Sequence, residues 1–353
     1  PVQQTLLARA LARRGYDVSM VVARLGQPEG AVYDGVRTLS AFHPDEGIPV
    51  LRFVHPRWTG VLAALRKAEA DVYYTSCASI GAEQIVRAAR ATGGTAVFRA
   101  ASDSDCDPSK LLIRLWRDRK IYEHGLSRVD HVLVQSECQQ RLMQRNYGRD
   151  SRVAGMLVDP GGPPAAFLDR TRHALWVSNI RQVKRPDLAL DVARLLPELG
   201  FQMAGGPVGG SEAMYDEVRA AAQGLPNMEF SGTVPYQQVS QVFANARVFV
   251  NTSDVEGFPN SYLQAWTNGV PVEPEVYCRN AIVSSPTPGS VHASASARGI
   301  VSVDTTVIPF SASSSSKRPS MSPMMRSFVS VIRASASPTM PSIRPIERFL
   351  RGG

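Results

Sequence analysis

The chain has 353 residues, 44% of them apolar, enough for two cored domains at about 150 residues each. No run approaches the roughly 18 uninterrupted apolar residues of a membrane-spanning helix, and nothing at the start reads as a basic, apolar leader. The net charge of +8 gathers in 276–353, where nine Arg and Lys face only Asp304 and Glu347. The rest is close to neutral and carries no groove-sized positive field, so nucleic acid is not an expected partner.

Residues 5–14 place apolar side chains at helical spacing among strong helix formers, Gly15 stops them, and 16–23 reads as a buried strand. A parallel sheet of strand–helix–strand units puts a strand before such a helix, so the chain is expected to begin one element late. Strand-like runs at 71–76, 94–100 and 131–135 alternate with helical stretches at 80–91, 109–125 and 136–145, the last opened by Ser136 as N-cap. The Pro/Gly cluster at 159–164 marks a boundary loop. A second alternating set follows, with strands at 174–178, 201–204, 228–230, 248–251 and 270–272. Its helices fall at 186–199, 211–222, 236–245 and 260–267. Two successive α/β sets predict two Rossmann-like domains, 1–165 and 166–275, with a cleft between them. Beyond about 273 the alternation gives way to Ser, Pro and Arg, as in Ser313-Ser-Ser-Ser316. Such composition predicts a disordered tail over 276–353, and its abrupt onset suggests sequence out of frame with what precedes it.

Several chemistries find no support. Cys77, Cys106, Cys138 and Cys278 form no CxxC pair, which suits reduced thiols rather than a disulfide framework or zinc site. The six histidines show no paired ligand spacing, and no GxSxG marks a nucleophilic serine. Gly205 to Gly210 lacks GxGxxG spacing, against a dinucleotide-dependent dehydrogenase or epimerase. The acidic run 102–107 fails as a calcium loop, with Pro108 at position 6 and Arg114 at position 12. It is expected to be a polar loop on the acceptor side.

The most informative stretch is 250–272. There an acid, Glu256, lies in a loop after a buried strand, Gly257-Phe-Pro259 leads into a helix, and Gln264 follows eight positions on. In a doubly wound sheet ligands bind at the carboxyl ends of the strands, where helix N-termini offer unpaired N–H groups to anions. Backbone around Phe258, Pro259, Asn260 and Ser261 would hold a phosphate, leaving Glu256 and Gln264 for hydroxyls. This stretch resembles the Glu-x7-Glu motif of retaining family 4 glycosyltransferases of GT-B fold. The resemblance implies that Glu256 contacts the donor sugar, as the catalytic residue, and that Gln264 takes the ribose hydroxyls. Gln264 departs from the family's Glu, and an amide gives a weaker bond there than a charge-assisted one. Residues 176–187 resemble the family's Gly-Arg-x4-Lys segment, which clamps the donor diphosphate. Lys184 stands at the Lys position, Asn179 at the Arg position, and Arg181 supplies the missing cation. Gly232 falls in the segment that meets the nucleotide base. In the first domain Ser102 stands where the family often has a His, so no catalytic residue carries over.

The resemblance covers 1–272 and implies an α/β chain of GT-B architecture, two facing Rossmann-like domains. The implied reaction moves a sugar from a nucleoside diphosphate sugar to an acceptor hydroxyl with retention of configuration. The implied partners are a nucleotide-sugar donor and a carbohydrate or lipid-linked acceptor, with no metal and no cofactor beyond the donor substrate. A cytoplasmic location is expected, and a lipid-linked acceptor would add peripheral contact with the inner face of the membrane. The alternative is a truncated, non-catalytic remnant that binds nucleotide weakly or not at all.

Overall fold

The computed structural model describes residues 2–48, 51–159, 166, 169–170, 172–254, 259–274 and 327–333. By its contacts the chain divides into two compact units, 1–157 with 293–353, and 158–292. The first unit opens with α1 (Val2–Arg13), β1 (Asp17–Val22), β2 (Val32–Tyr33) and β3 (Val36–Ser40). An irregular helical turn, Phe53–Trp58, runs into α2 (Thr59–Ala68). There follow β4 (Val72–Ser76), α3 (Gly81–Thr92), β5 (Thr95–Arg99), α4 (Trp116–Leu126), β6 (His131–Val134), α5 (Glu137–Tyr147) and β7 (Arg152–Val153).

Alternation along the strands divides the core of this unit into two faces. Tyr73 and Phe98 point to the side covered by α2 to α5, where Leu65, Ile85, Tyr122 and Met143 bury against them. Val72, Tyr74 and Val97 point to the other side and pack with Ala8 of α1. Ser136 caps α5 as expected, its hydroxyl accepting from the Gln139 N–H at 3.2 Å. The expected helix over 109–125 is shorter: α4 starts only at Trp116, after Leu115 in extended geometry at φ −86° and ψ 125°.

The second unit contains β8 (Arg172–Val177), α6 (Pro186–Leu195), β9 (Phe201–Ala204), α7 (Glu212–Gln223) and β10 (Met228–Gly232). It continues with α8 (Tyr236–Ala244), β11 (Ala246–Asn251), α9 (Asn260–Thr267) and β12 (Val272–Pro274). The helix expected at 186–199 ends at Leu195, since Leu196 precedes Pro197 and is pushed out of helical geometry, at φ −125° and ψ 64°. All pairings are parallel, in the order β10-β9-β8-β11-β12. Strand order reverses at β8: β9 and β10 extend the sheet one way, β11 and β12 the other. Ala189 and Leu190 of α6 and Val218 of α7 pack with Trp176 and Met203 on one face. Phe243 of α8 and Ala265 of α9 pack with Leu175 and Phe249 on the other. The helices leaving β8 and β11 therefore depart on opposite faces, which opens a crevice at the carboxyl ends of those two neighbouring strands.

A last strand, β13 (Ser327–Arg333), belongs to the sheet of the first unit. That sheet runs β2-β3-β1-β13-β4-β5-β6-β7. β13 lies antiparallel to both neighbours, with Asp17 opposite Arg333 on β1 and Val72 opposite Ile332 on β4. It lies between β1 and β4, in the interior of the sheet. Seven residues of the expected disordered tail are thus a central strand. Ser327-Phe-Val-Ser-Val-Ile-Arg333 is rich in β-branched residues, a run that the surrounding Ser and Pro conceal when composition is averaged. The rest of 276–353 lies outside the described residues.

Candidate functional site

The crevice between β8 and β11 is built from the turn after each strand. Beyond β8 the Ser178 N–H donates to the Ala204 carbonyl at 3.1 Å and the Ile180 N–H to Gly206 at 2.9 Å. Ile180 is fully buried, so it anchors the turn and leaves Asn179 exposed beside it. Gly205 must be glycine at this crossing, because a Cβ there would collide with the Ser178 carbonyl oxygen. Its own N–H donates to Gly232 at 2.8 Å. Gly232, at φ +62°, takes a left-handed conformation below the Tyr215 hydroxyl. The turns after β8, β9 and β10 are therefore hydrogen-bonded side by side, and they bring Asn179 and Gly232 to one edge of the sheet.

Residues 182–184 form a short helical turn, closed by the Lys184 N–H on the Arg181 carbonyl at 2.9 Å. Arg185 then adopts φ +47° and hands the chain to Pro186, the first residue of α6. The turn is fastened to β11. The Asp254 N–H donates to the Val183 carbonyl at 2.9 Å. The buried Thr252 hydroxyl accepts from Trp176 Nε1 at 2.9 Å and lies 2.9 and 2.8 Å from the Lys184 and Arg185 carbonyls. Arg185 grips Asp187 through Nε at 3.0 Å and Nη2 at 2.8 Å, and reaches Asp254 through Nη1 at 3.3 Å. These bonds raise the Arg185 pKa, Asp187 hydrogen bonding first among the causes, and the same contact holds the Asp187 carboxyl below the usual carboxylate range. Arg181 is exposed and makes no ion pair among the described residues, while Lys184 is half-buried.

On the β11 side, Asn251 Nδ2 donates to the Tyr262 hydroxyl at 2.9 Å, and Asn251 Oδ1 accepts from the Ser253 hydroxyl at 2.7 Å. The strand end is thereby tied to α9. Pro259, extended at φ −65° and ψ 137°, precedes that helix, and no side chain caps it. A helix's own backbone leaves the N–H groups of its first turn to outside partners, and in α9 that turn includes Asn260 and Ser261. Gln264 stands one turn on from Asn260, on the same face, and is half-buried. Glu256 and Phe258 lie outside the described residues. Thr252, Asp254 and Arg185, which fasten the turn to the strand, were not singled out in the sequence. Their only signal there is a polar run directly after a buried strand.

The acids of the run in the first unit are held by local hydrogen bonds, and Asp105 alone among them is buried. The buried Asp105 carboxylate accepts from the Ala101 N–H at 2.7 Å, Asp103 from Gln139 at 3.0 Å, and Asp107 from the Ser109 hydroxyl at 2.7 Å. Burial pushes the Asp105 carboxyl above its ordinary range. Among the described residues no three His, Cys, Asp or Glu side chains come close enough to hold a metal ion.

Residues 2–155 match the model of the glycosyl transferase 4-like domain, and residues 165–272 match that of the glycosyl transferases group 1. Each unit thus matches a glycosyltransferase domain model, and neither match alone spans half of the chain. Sucrose-phosphate synthase from Thermosynechococcus elongatus is similar over 76% of this chain and 73% of that one, at 16% identity and a TM-score of 0.59. Anabaena Alr3699/HepE, solved in complex with UDP and glucose, is similar over 68% of each chain, at 16% identity and a TM-score of 0.54. A TarM variant from S. aureus, in complex with fondaparinux, alpha-GlcNAc-glycerol and UDP, is similar over 62% of this chain at 15% identity and a TM-score of 0.50, and this chain spans 45% of that one's length. No curated protein sequence matches closely enough to count as a relative. At such identities the likenesses bear on fold, and the fold is the α/β, GT-B type expected from the sequence, each unit Rossmann-like.

Proposed function

We propose that the second unit binds a nucleoside diphosphate sugar at the carboxyl ends of β8 and β11, and that the chain passes the sugar to an acceptor hydroxyl with retention of configuration. One observation carries this reading. The Asp254 N–H on the Val183 carbonyl puts the Arg181–Lys184 turn beside the loop that leads into α9, at the point where strand order reverses. In the proposed complex Arg181, Lys184 and the α9 backbone at Pro259, Asn260 and Ser261 hold the diphosphate. Asn179 lies alongside, Gly232 leaves room for the base, and Gln264 meets the ribose. Glu256 and Phe258 are assigned to the sugar side of the loop on motif grounds. As the glycosidic bond breaks, charge grows on the diphosphate, and fixed cations with helix N–H groups stabilise it there. The acceptor is a carbohydrate or lipid-linked hydroxyl. No helix among the described residues is long and apolar enough to cross a membrane.

A thermal-shift screen against UDP, GDP and ADP tests donor binding, with UDP first because the Anabaena structure holds it. One nucleotide is expected to raise the melting temperature, and Lys184→Ala to abolish the rise. Hydrolysis or transfer of the matching nucleotide sugar is expected to fall about a hundredfold in Glu256→Ala. The second reading, binding without turnover, draws on Gln264 in place of the family's Glu, and it predicts a shift with no sugar released by the unaltered chain. No shift with any nucleotide overturns the sugar-transfer reading and leaves a remnant that does not bind nucleotide.

A further inference from the structure

A hollow of about 220 Å³ opens on the α2 face of the first unit's sheet, beside β1 and β3. Alternation turns Asp17 and Ser19 of β1 to the side of Val21, and Arg37 of β3 to the side of Leu39, where both strands share a core with Leu65 of α2. Leu39 and Ala70 are buried in its lining, and Ala68 closes α2 beside them. Gly30 adds no side chain, and nothing lies within 4 Å of where one would begin. Ser19 is 8% exposed, yet its hydroxyl makes no hydrogen bond among the described residues. A buried hydroxyl is ordinarily bonded, so this one is left to whatever enters the hollow.

Around Ser19 stand two acids and two bases. Arg37 Nη2 lies 3.4 Å from Asp17 Oδ1, and Lys67 Nζ lies 3.4 Å from Glu29 Oε1. Glu29 Oε2 accepts from the Ser40 N–H at 3.2 Å. Both ion pairs are looser than the roughly 2.7–2.9 Å of a strong charge-assisted bond, and each base keeps further N–H groups to donate. The four charges cancel, so a neutral ligand is favoured over an ion. Hydroxyl groups both donate and accept, which suits carboxylates and cations set side by side. C–H groups suit Leu39 and the two alanines. A ring with hydroxyls at its rim and C–H on its faces meets both demands. The volume is below the roughly 300–1,000 Å³ of drug-sized sites, which limits the occupant to one ring. Asp17 opens β1 and Ala70 leads into β4, so the hollow lies toward the amino ends of these strands, whereas substrates of such sheets bind at the carboxyl ends. We propose that this hollow binds a neutral polyhydroxyl ligand, a single sugar ring, at a site separate from the donor crevice of the second unit. The proposal is independent of donor binding.

Saturation-transfer NMR on the full chain with glucose, galactose and glycine tests it. A sugar is expected to receive saturation, with a Kd of about 1 mM, and glycine is not. Ser19→Ala is expected to weaken sugar binding about fivefold. The same variant should leave the melting temperature of the free protein unchanged or raised, because the lost hydroxyl had no partner; a hydroxyl serving only the fold would lower it. Arg37→Gln/Lys67→Gln is expected to weaken binding about tenfold. Ala68→Phe, which fills the hollow from the end of α2, is expected to abolish it. Should Ala68→Phe lose its fold by circular dichroism, Ser19→Ala alone decides. Nucleotide-induced thermal shifts should be unchanged in Ser19→Ala, which separates failure here from failure of the donor site. No saturation transfer to either sugar overturns the proposal. So does transfer that these variants leave intact, since the sugar then sits elsewhere. Glycine binding lost in the same variants also overturns it, because the ligand is then a zwitterion.

Discussion

Thr252 carries no charge and is given no role by the motif read from the sequence, yet its one oxygen joins Trp176, Lys184 and Arg185. Replacing it by valine keeps the shape and strands the indole N–H in a buried place. Thr252→Val is expected to destabilise the second unit by about 2 kcal/mol in denaturant titration and to weaken nucleotide binding. Asp187 shows the electrostatics of the same corner. Its pKa is lowered chiefly by hydrogen bonding from Arg185, so its folded value lies below the unfolded one. The stabilisation from this contact is present above the ordinary carboxylate range and is lost as pH falls through the depressed value. A carbon-13 NMR titration should find Asp187 titrating below an ordinary aspartate, and Arg185→Gln should bring it back up. The sequence singles out Lys184, Arg181, Asn260 and Gln264 as candidates because the motif they belong to is local. It could not show Thr252 or Arg185 as fasteners, since their bonds join positions 68, 76 and 69 apart.

At the scale of elements, legibility followed the locality of the signal. The cap of α5 at Ser136 and the span of α9 were readable from neighbouring residues, and Pro197 marks where α6 must stop. β2, β3 and α2 received no assignment, because 24–70 has turns and short strands rather than a sustained period. β13 was missed for a different reason. A strand held between two others draws its stability from pairing with partners far away in the chain, and nothing near residue 330 declares them. Its central position has a measurable result. Backbone amides of 328–333 are expected to exchange with solvent as slowly as those of β4. Val331→Pro, which removes an N–H from the middle of a sheet, should destabilise the first unit by about 3 kcal/mol or more. Amides at 328–333 that exchange as fast as an unfolded peptide would show that the strand is not formed.

At the scale of the whole molecule, two units with separate cores should unfold separately. Calorimetry is expected to resolve two transitions. Nucleotide at about a hundred times its Kd should stabilise the second unit by about 2.7 kcal/mol and leave the first unmoved. A single transition displaced as a whole by nucleotide would count against separate cores. The first unit is discontinuous along the chain, since 1–157 and 327–333 share one sheet while 158–292 forms the other unit. During synthesis the opening between β1 and β4 therefore waits for residues made after the intervening unit, so that unit has all of its residues before the sheet of the first unit can close.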